Sequence, residues 1–177
     1  PPHLPGCAPG PLILPPAGPA SLLRHRMSDR FQPQLDWRRN RFVWLGTARP
    51  FPAFTFYFKP SPAGLWRTHV YQYAPGRSTF IVEAPEDVWH RAGIDKMSQP
   101  ESIAFCERLF AGYLDREPLM SNATHLRGSA MWIRFPRVIC GHWTHNVRAG
   151  NRDVSIVLIG DAAHTAHFSI GSGTKLA

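Results

Sequence analysis

Val154-Ser-Ile-Val-Leu-Ile-Gly-Asp-Ala-Ala-His164 runs on through Thr-Ala-His-Phe-Ser-Ile-Gly-Ser-Gly-Thr-Lys-Leu-Ala177, and the rest of the chain is best read from this stretch. Five of the six residues from 154 to 159 are apolar, the pattern of a strand buried on both faces in a parallel sheet. Gly160 ends that strand and Asp161 follows it. Open α/β sheets bind ligands at this carboxyl end, where a carboxylate accepts from a ligand hydroxyl. Ala162 and Ala163 are small enough for close backbone approach. Gly171-Ser172-Gly173-Thr174 then opens a helix, whose free N–H groups and positive end suit an anion or an electron-rich carbonyl. A strand–loop–helix crossover in which Asp161 is only a cap gives the same spacing, and spacing does not separate the two.

Upstream of this segment the periodicity is of another kind. Phe42–Leu45, Phe54–Phe58, Leu65–Tyr73 and Ser78–Glu83 are short apolar or alternating runs, divided by Gly46-Thr47, Pro50, Pro60 and Ala74-Pro-Gly76. Four strands with turn chemistry between them predict an antiparallel meander, with Trp66, Thr68, Val70 and Gln72 on one face. Pro85–Trp89 predicts a short helix with acids in its first turn. Ser98-Gln-Pro-Glu101 is a capping box, and Ile103, Cys106, Leu109, Phe110, Tyr113 and Leu114 continue an amphipathic helix to about Asp115. Residues 130–138 return to strand, with Pro136 placing it at an edge or bend. The expected fold is therefore α+β: an antiparallel sheet with helices over residues 29–150, joined to an incomplete piece of an α/β domain over 151–177.

Residues 1–20 hold 8 of the 18 prolines, and an ordinary globular pattern begins near Met27. Residues 1–28 are expected to be a disordered or non-native leader, either a natural Pro-rich tail or the product of a frameshifted or truncated gene. Both ends of the chain fit an incomplete gene product. No apolar run approaches the roughly 18 residues of a membrane span, and the prolines break any signal-like segment. Cys7, Cys106 and Cys140 form neither a disulfide framework nor a metal spacing, which suits a reduced, cytoplasmic setting.

The net charge of +8 admits an anionic partner, and Arg38-Arg39-Asn40-Arg41 is the one dense basic cluster. A solvated strand edge accounts for it without nucleic acid. His142-x-x-His145 and His164-x-x-His167 lack the acidic or thiol partner of common metal pairs, so no metal site is assigned. His142 to His145 are expected in a polar loop. There is no Gly-x-Ser-x-Gly, and Cys106 falls on an apolar helix face, so a hydrolase is unsupported.

Gly160-Asp-Ala-Ala-His164 resembles the Gly-Asp motif of the para-hydroxybenzoate-hydroxylase-like flavoprotein monooxygenases. The longer string His164–Lys175, together with Arg41–Thr47, Phe54–Phe58 and Trp132–Val138, is similar to the branch acting on aromatic acyl-CoA thioesters, the salicylyl-CoA and anthraniloyl-CoA hydroxylases. The resemblance covers about residues 29–177. It implies FAD as cofactor, with Gly160 and Asp161 at the ribityl chain and Gly171, Ser172, Gly173, Thr174 and Lys175 at the flavin ring. It implies NAD(P)H as reductant and insertion of one atom of O2 into an electron-rich aromatic ring through a flavin C4a-hydroperoxide. The substrate would lie between flavin and sheet, against the strand aromatics, and the phosphates of a CoA thioester would meet Arg38–Arg41. Three departures stand out. His167-Phe168 replaces the family's Pro-Pro pair, no Gly-x-Gly-x-x-Gly occurs, and the central Asp-Gly motif is absent before residue 29. Residues 1–177 by themselves are therefore expected to hold no flavin and to be inactive. The alternatives are hydroxylation of a free aromatic acid or amine, and an inactive sheet domain that binds a ligand or partner.

Overall fold

The computed structural model describes residues 11–14, 18–121 and 132–167. The chain forms two compact units, one of residues 39–135 and the other of residues 1–38 with 136–177. The strands are β1 (Leu12–Ile13), β2 (Pro33–Thr47), β3 (Thr55–Ser61), β4 (Gly64–Ala74), β5 (Arg77–Ala84), β6 (Met120–Ser121), β7 (Trp132–Cys140), β8 (Thr144–Ala149) and β9 (Arg152–Val157). The helices are α1 (Leu22–Arg26), α2 (Ser28–Phe31), α3 (Glu86–Arg91), α4 (Gln99–Leu109) and α5 (Ala111–Leu114).

In the unit of residues 39–135 the strand order is β3-β4-β5-β2-β6. β3, β4 and β5 form the expected meander. β2 does not begin it: it pairs antiparallel with β5, from Arg41 opposite Ala84 to Thr47 opposite Ser78. Pro50 and Pro52 deny the β2–β3 link a tight hairpin, so the chain crosses to the far edge. Ser78 Oγ donates to the Arg49 carbonyl at 2.6 Å and fixes the start of that crossing. Pro60 lies within β3 rather than ending it, and β3 is an edge strand where a missing N–H costs no ladder bond.

One sheet face carries Trp66, Val70, Phe80 and Val82, which pack with Val88, Ile94, Cys106, Phe110 and Leu114 in a single core. Trp66, Phe80 and Phe110 are fully buried. The capping box forms, with the Ser98 N–H donating to Glu101 Oε2 at 2.7 Å. The hydrogen bond from the Ser98 hydroxyl holds the Glu101 carboxyl below its ordinary pKa. The helix predicted to Asp115 breaks at Phe110, whose φ of −106° leaves the helical region, and a separate turn, α5, follows. The side chains of both pieces still reach the same core, so the apolar spacing survives the break. Trp132 Nε1 donates to Ser102 Oγ at 2.6 Å inside this core.

The expected Arg38–Arg41 cluster lies on β2 with its charges partly matched. Arg41 Nη2 meets Glu86 Oε1 at 2.7 Å and its guanidinium sits 5.0 Å from the Trp89 ring centre. Arg38 meets Asp36 at 3.2 Å. Asn40 donates to Glu83 Oε1 at 2.7 Å, and Glu83, 1% exposed, also takes two bonds from Arg67 across the β4–β5 ladder.

The other unit holds a three-stranded sheet in the order β1-β9-β8. The sequence pattern predicts a parallel strand buried on both faces at 154–159. The structure corrects this: β9 is parallel to β1 but antiparallel to β8, joined to it by the two-residue turn Gly150-Asn151. Gly150 has φ of +62°, a conformation that glycine enters without steric cost. Val154, Ile156 and Leu158 are buried, while the Ser155 hydroxyl on the opposite face donates to Asn146 Oδ1.

Residues 18–28, read from composition as part of a leader, are structured. Ser21 caps α1, and Leu23 and Met27 pack on a core of Phe31, Val138, Cys140, Ile156 and Leu158. The units accordingly divide at residues 38 and 136, where the sequence places boundaries at 28 and 150. His145 lies in β8, not in a loop, edge-on to Phe31 with ring centres 6.3 Å apart. Among the described residues no group of three or more His, Cys, Asp or Glu side chains is placed to hold a metal. No helix among them is long and apolar enough to cross a membrane.

Candidate functional site

Beyond β9 the chain turns sharply at Gly160, whose φ of +56° a side chain would strain. Gly160, Asp161 and Ala162 form one turn of 3-10 helix. The Gly160 carbonyl accepts from the N–H groups of Ala163 and His164, each at 3.0 Å. Ala162 and Ala163 are wholly buried, as expected of small residues under a close backbone approach.

The turn is held from outside by groups far away in sequence. Arg24, 4% exposed, donates through Nη1 to the Ala162 carbonyl at 2.9 Å and to Gly18 at 3.4 Å, and its Nη2 meets the Pro19 carbonyl. The Cys140 N–H donates to the Ala163 carbonyl at 3.0 Å. Ile139 and His164 form an antiparallel bridge. Thr165 then locks the exit: its N–H donates to the Val138 carbonyl, its hydroxyl accepts from the Val138 N–H at 2.8 Å and donates to the Pro136 carbonyl at 3.2 Å. Burial pushes the Cys140 thiol up in pKa, opposed by the nearby Arg24 charge, so it stays a neutral packing group.

Asp161 stands apart from this network. It is partly exposed, and among the described residues its carboxylate has neither a hydrogen bond nor an ion pair. A cap would use that carboxylate on a nearby N–H, and this one makes no such bond. The structure thus places Gly160 and Asp161 together on a rigid turn at the carboxyl end of β9. Gly171, Ser172, Gly173, Thr174 and Lys175 lie outside the described residues.

In the unit of residues 39–135 the expected strand aromatics are exposed. Phe54, Phe56 and Phe58 are 48%, 41% and 57% exposed along β3 and the residue before it. Phe54 stacks on His69 and Tyr71 at 5.7 and 5.5 Å, and Phe56 lies 5.7 Å from His69. These side chains share one sheet face because β-strand side chains alternate with period two. Sequence reasoning missed Arg24 and Thr165. Arg24 follows a proline-rich stretch in a segment too short for periodicity, and nothing in the string His164–Lys175 marks Thr165; its role comes from being opposite Val138.

No protein-family model matches the chain. It is 36% identical over 168 residues to a salicyloyl-CoA 5-hydroxylase of a Streptomyces species, covering 90% of this chain and 30% of that protein. It is 39% identical over 136 residues to a 3-hydroxy-4-methyl-anthranilyl-[aryl-carrier protein] 5-monooxygenase of Streptosporangium sibiricum, covering 77% and 31%. A protodeoxyviolaceinate monooxygenase of Chromobacterium violaceum is 31% identical over 145 residues, covering 82% and 35%. The fold is shared with PqsL of Pseudomonas aeruginosa, a probable FAD-dependent monooxygenase, at a TM-score of 0.51 and 16% identity over 93% of this chain and 42% of that one. The chain therefore spans about a third of the length of the curated relatives it matches. Across that third, it is homologous in sequence to these aromatic-ring monooxygenases and hydroxylases.

Proposed function

We propose that the protein carrying this sequence binds FAD through Gly160 and Asp161 and hydroxylates an electron-rich aromatic substrate, using O2 and NAD(P)H in the cytoplasm. The observation that carries the reading is the carboxylate of Asp161, unpartnered on a turn whose Gly160, Ala162 and Ala163 carbonyls are all hydrogen-bonded. Those residues fit the ribityl end of FAD. An acceptor with no protein partner suits a ligand hydroxyl, and a turn held by Arg24 and Thr165 places it without further ordering cost. Gly171 to Lys175 are assigned to the ring on the family resemblance alone.

When bound, the flavin supplies the activation of O2 and the delivery of one oxygen atom to the ring, chemistry that protein side chains lack. The chain's part is to hold and to orient. Asp161 fixes the cofactor's chain, and the exposed Phe54, Phe56 and Phe58 offer a face on which a planar substrate stacks. We read that substrate as an aromatic acyl thioester, in keeping with the names of two of the relatives. A free aromatic acid is the second reading, favoured by the third relative, whose name gives a carboxylate.

The test uses the full-length protein that contains this sequence, purified with its flavin. Asp161→Ala should weaken FAD retention by about 1.5–3 kcal/mol, the value of a hydrogen bond to a charged group. NAD(P)H oxidation should be coupled to hydroxylation of salicyloyl-CoA and not of salicylate. Undiminished flavin in Asp161→Ala would reduce Asp161 to a structural element, and turnover of salicylate alone would favour the second reading.

A further inference from the structure

Resting on the thioester reading above, we propose that the phosphopantetheine arm of the substrate is received in a cleft at the β3–β4 turn, with Arg91 and Arg108 facing its phosphate. The cleft has a volume of about 600 Å³ and lies wholly within the unit of residues 39–135. Ser61 and Ala63 of the β3–β4 turn, Arg91 at the end of α3, and Phe105, Arg108 and Leu109 of α4 line it. Its floor is largely apolar and its two charges are both positive. An uncharged chain ending in a phosphate has the complementary layout.

The two arginines differ in how they are held, and both suit the task. Arg91 Nε donates to the Ala63 carbonyl at 2.9 Å, and Nη1 meets Asp87 Oδ2 at 2.8 Å. The fork is fixed before any ligand arrives, which lowers the ordering cost of binding. Gly64, with φ of +130°, makes room for the neighbouring Val88, whose Cγ2 would lie 2.7 Å from a Cβ there. Arg108 is exposed, and among the described residues it has neither an ion pair nor a hydrogen bond. Of the Arg38–Arg41 segment, which the sequence favours for CoA phosphates, Arg41 is taken by Glu86 and Trp89.

Phe58, the last exposed aromatic of the row, precedes Ser61 by three residues, about 10 Å along a strand. Phe58 and Ser61 point to opposite faces, and β3 is the outer edge of its sheet, so the arm would pass round that edge. Two relatives act, by name, on a CoA thioester and on a carrier-protein thioester, and the phosphopantetheine arm is the part those carriers share.

The experiment measures binding of salicyloyl-CoA, of the salicyloyl thioester of N-acetylcysteamine, and of a salicyloyl-loaded aryl carrier protein to the flavin-loaded full-length protein. Arg108→Glu is the main variant because its side chain supports nothing in the fold. Arg91→Ala is the second, with thermal unfolding to confirm that it folds. Each should weaken salicyloyl-CoA by about tenfold to a hundredfold and leave the phosphate-free thioester unchanged. A parallel loss for the carrier-borne thioester identifies the arm's own phosphate as the contact; a loss confined to CoA would move the contact to the nucleotide end and overturn the assignment to the arm. Unchanged salicyloyl-CoA affinity in Arg108→Glu, or equal losses for CoA and N-acetylcysteamine thioesters, would overturn the site while leaving the proposed hydroxylation intact. A parent protein that hydroxylates salicylate and binds neither thioester would instead overturn the thioester reading beneath it.

Discussion

Replacing Arg24 by Met tests whether the segment from Gly18 onward belongs to the fold and supports the Asp161 turn. Methionine keeps much of the side chain's length and apolar stem while removing every donor. The structure gives one well-formed charge-assisted bond to the turn, Nη1 to the Ala162 carbonyl at 2.9 Å, beside a long one to Gly18 at 3.4 Å and the Nη2 contact with the Pro19 carbonyl. Ala162 is fully buried, so its carbonyl keeps only the weak Cys140 thiol contact at 3.6 Å. Losing the good bond and orphaning that acceptor should cost about 2–3 kcal/mol, the range for bonds to charged groups and for unpaired buried polar atoms. The assay is denaturant unfolding of the purified full-length protein with Arg24→Lys alongside, since lysine retains a charge and recovers part of the Ala162 bond. The expected order of stability is Arg, then Lys, then Met, with flavin retention falling in the same order. A Met variant within about 0.5 kcal/mol of the parent, the level of an ordinary surface change, would refute the reasoning.

Three further outcomes are expected. Ser102→Ala should destabilise by about 1–3 kcal/mol in chemical unfolding, because it strands the Trp132 indole N–H; an unchanged midpoint would show another acceptor there. Glu83→Gln should cost toward the lower end of roughly 3–5 kcal/mol, since it removes the charge that pairs Arg67 and one of its two acceptors, at a position about a third exposed; a gain in stability would refute this. The Cys106 thiol is pushed well above its ordinary pKa by burial, so alkylating reagents should miss it in the native protein at pH 8 and label it on unfolding. Its sign follows from the raised native value: the stability it contributes is fully present below the unfolded thiol's pKa, about 8.5, and is lost as pH rises above that. Native labelling as fast as in urea would contradict its burial.

The site was partly legible in the sequence. Gly160-Asp161 after an apolar run marked the turn because the glycine conformation and the strand end are local properties. The capping box Ser98–Glu101 was equally local and formed as spelled. The Phe54–Phe58 strand was legible as a run of aromatics, but not that Phe54, Phe56 and Phe58 would stand on its exposed face. What holds the turn was not legible, since Arg24 reaches across 138 positions to Ala162 and no window of sequence contains both.

By itself the sequence determined the strands and helices of the meander and of the segment from Pro85 to Phe110, and the carboxylate that follows the last strand. These depend on side-chain period and on neighbours within one or two turns. Tertiary structure alone decided that β2 closes the sheet beside β5, that β9 runs antiparallel to β8, and that residues 18–28 are folded. Strand partnership is a choice among edges of similar backbone chemistry, settled by link length, prolines and core fit rather than by any strand's own residues. The proline-rich composition near the start likewise says nothing about Leu23 and Met27, whose burial depends on a pocket of Phe31, Val138 and Ile156 that exists only once the chain has folded.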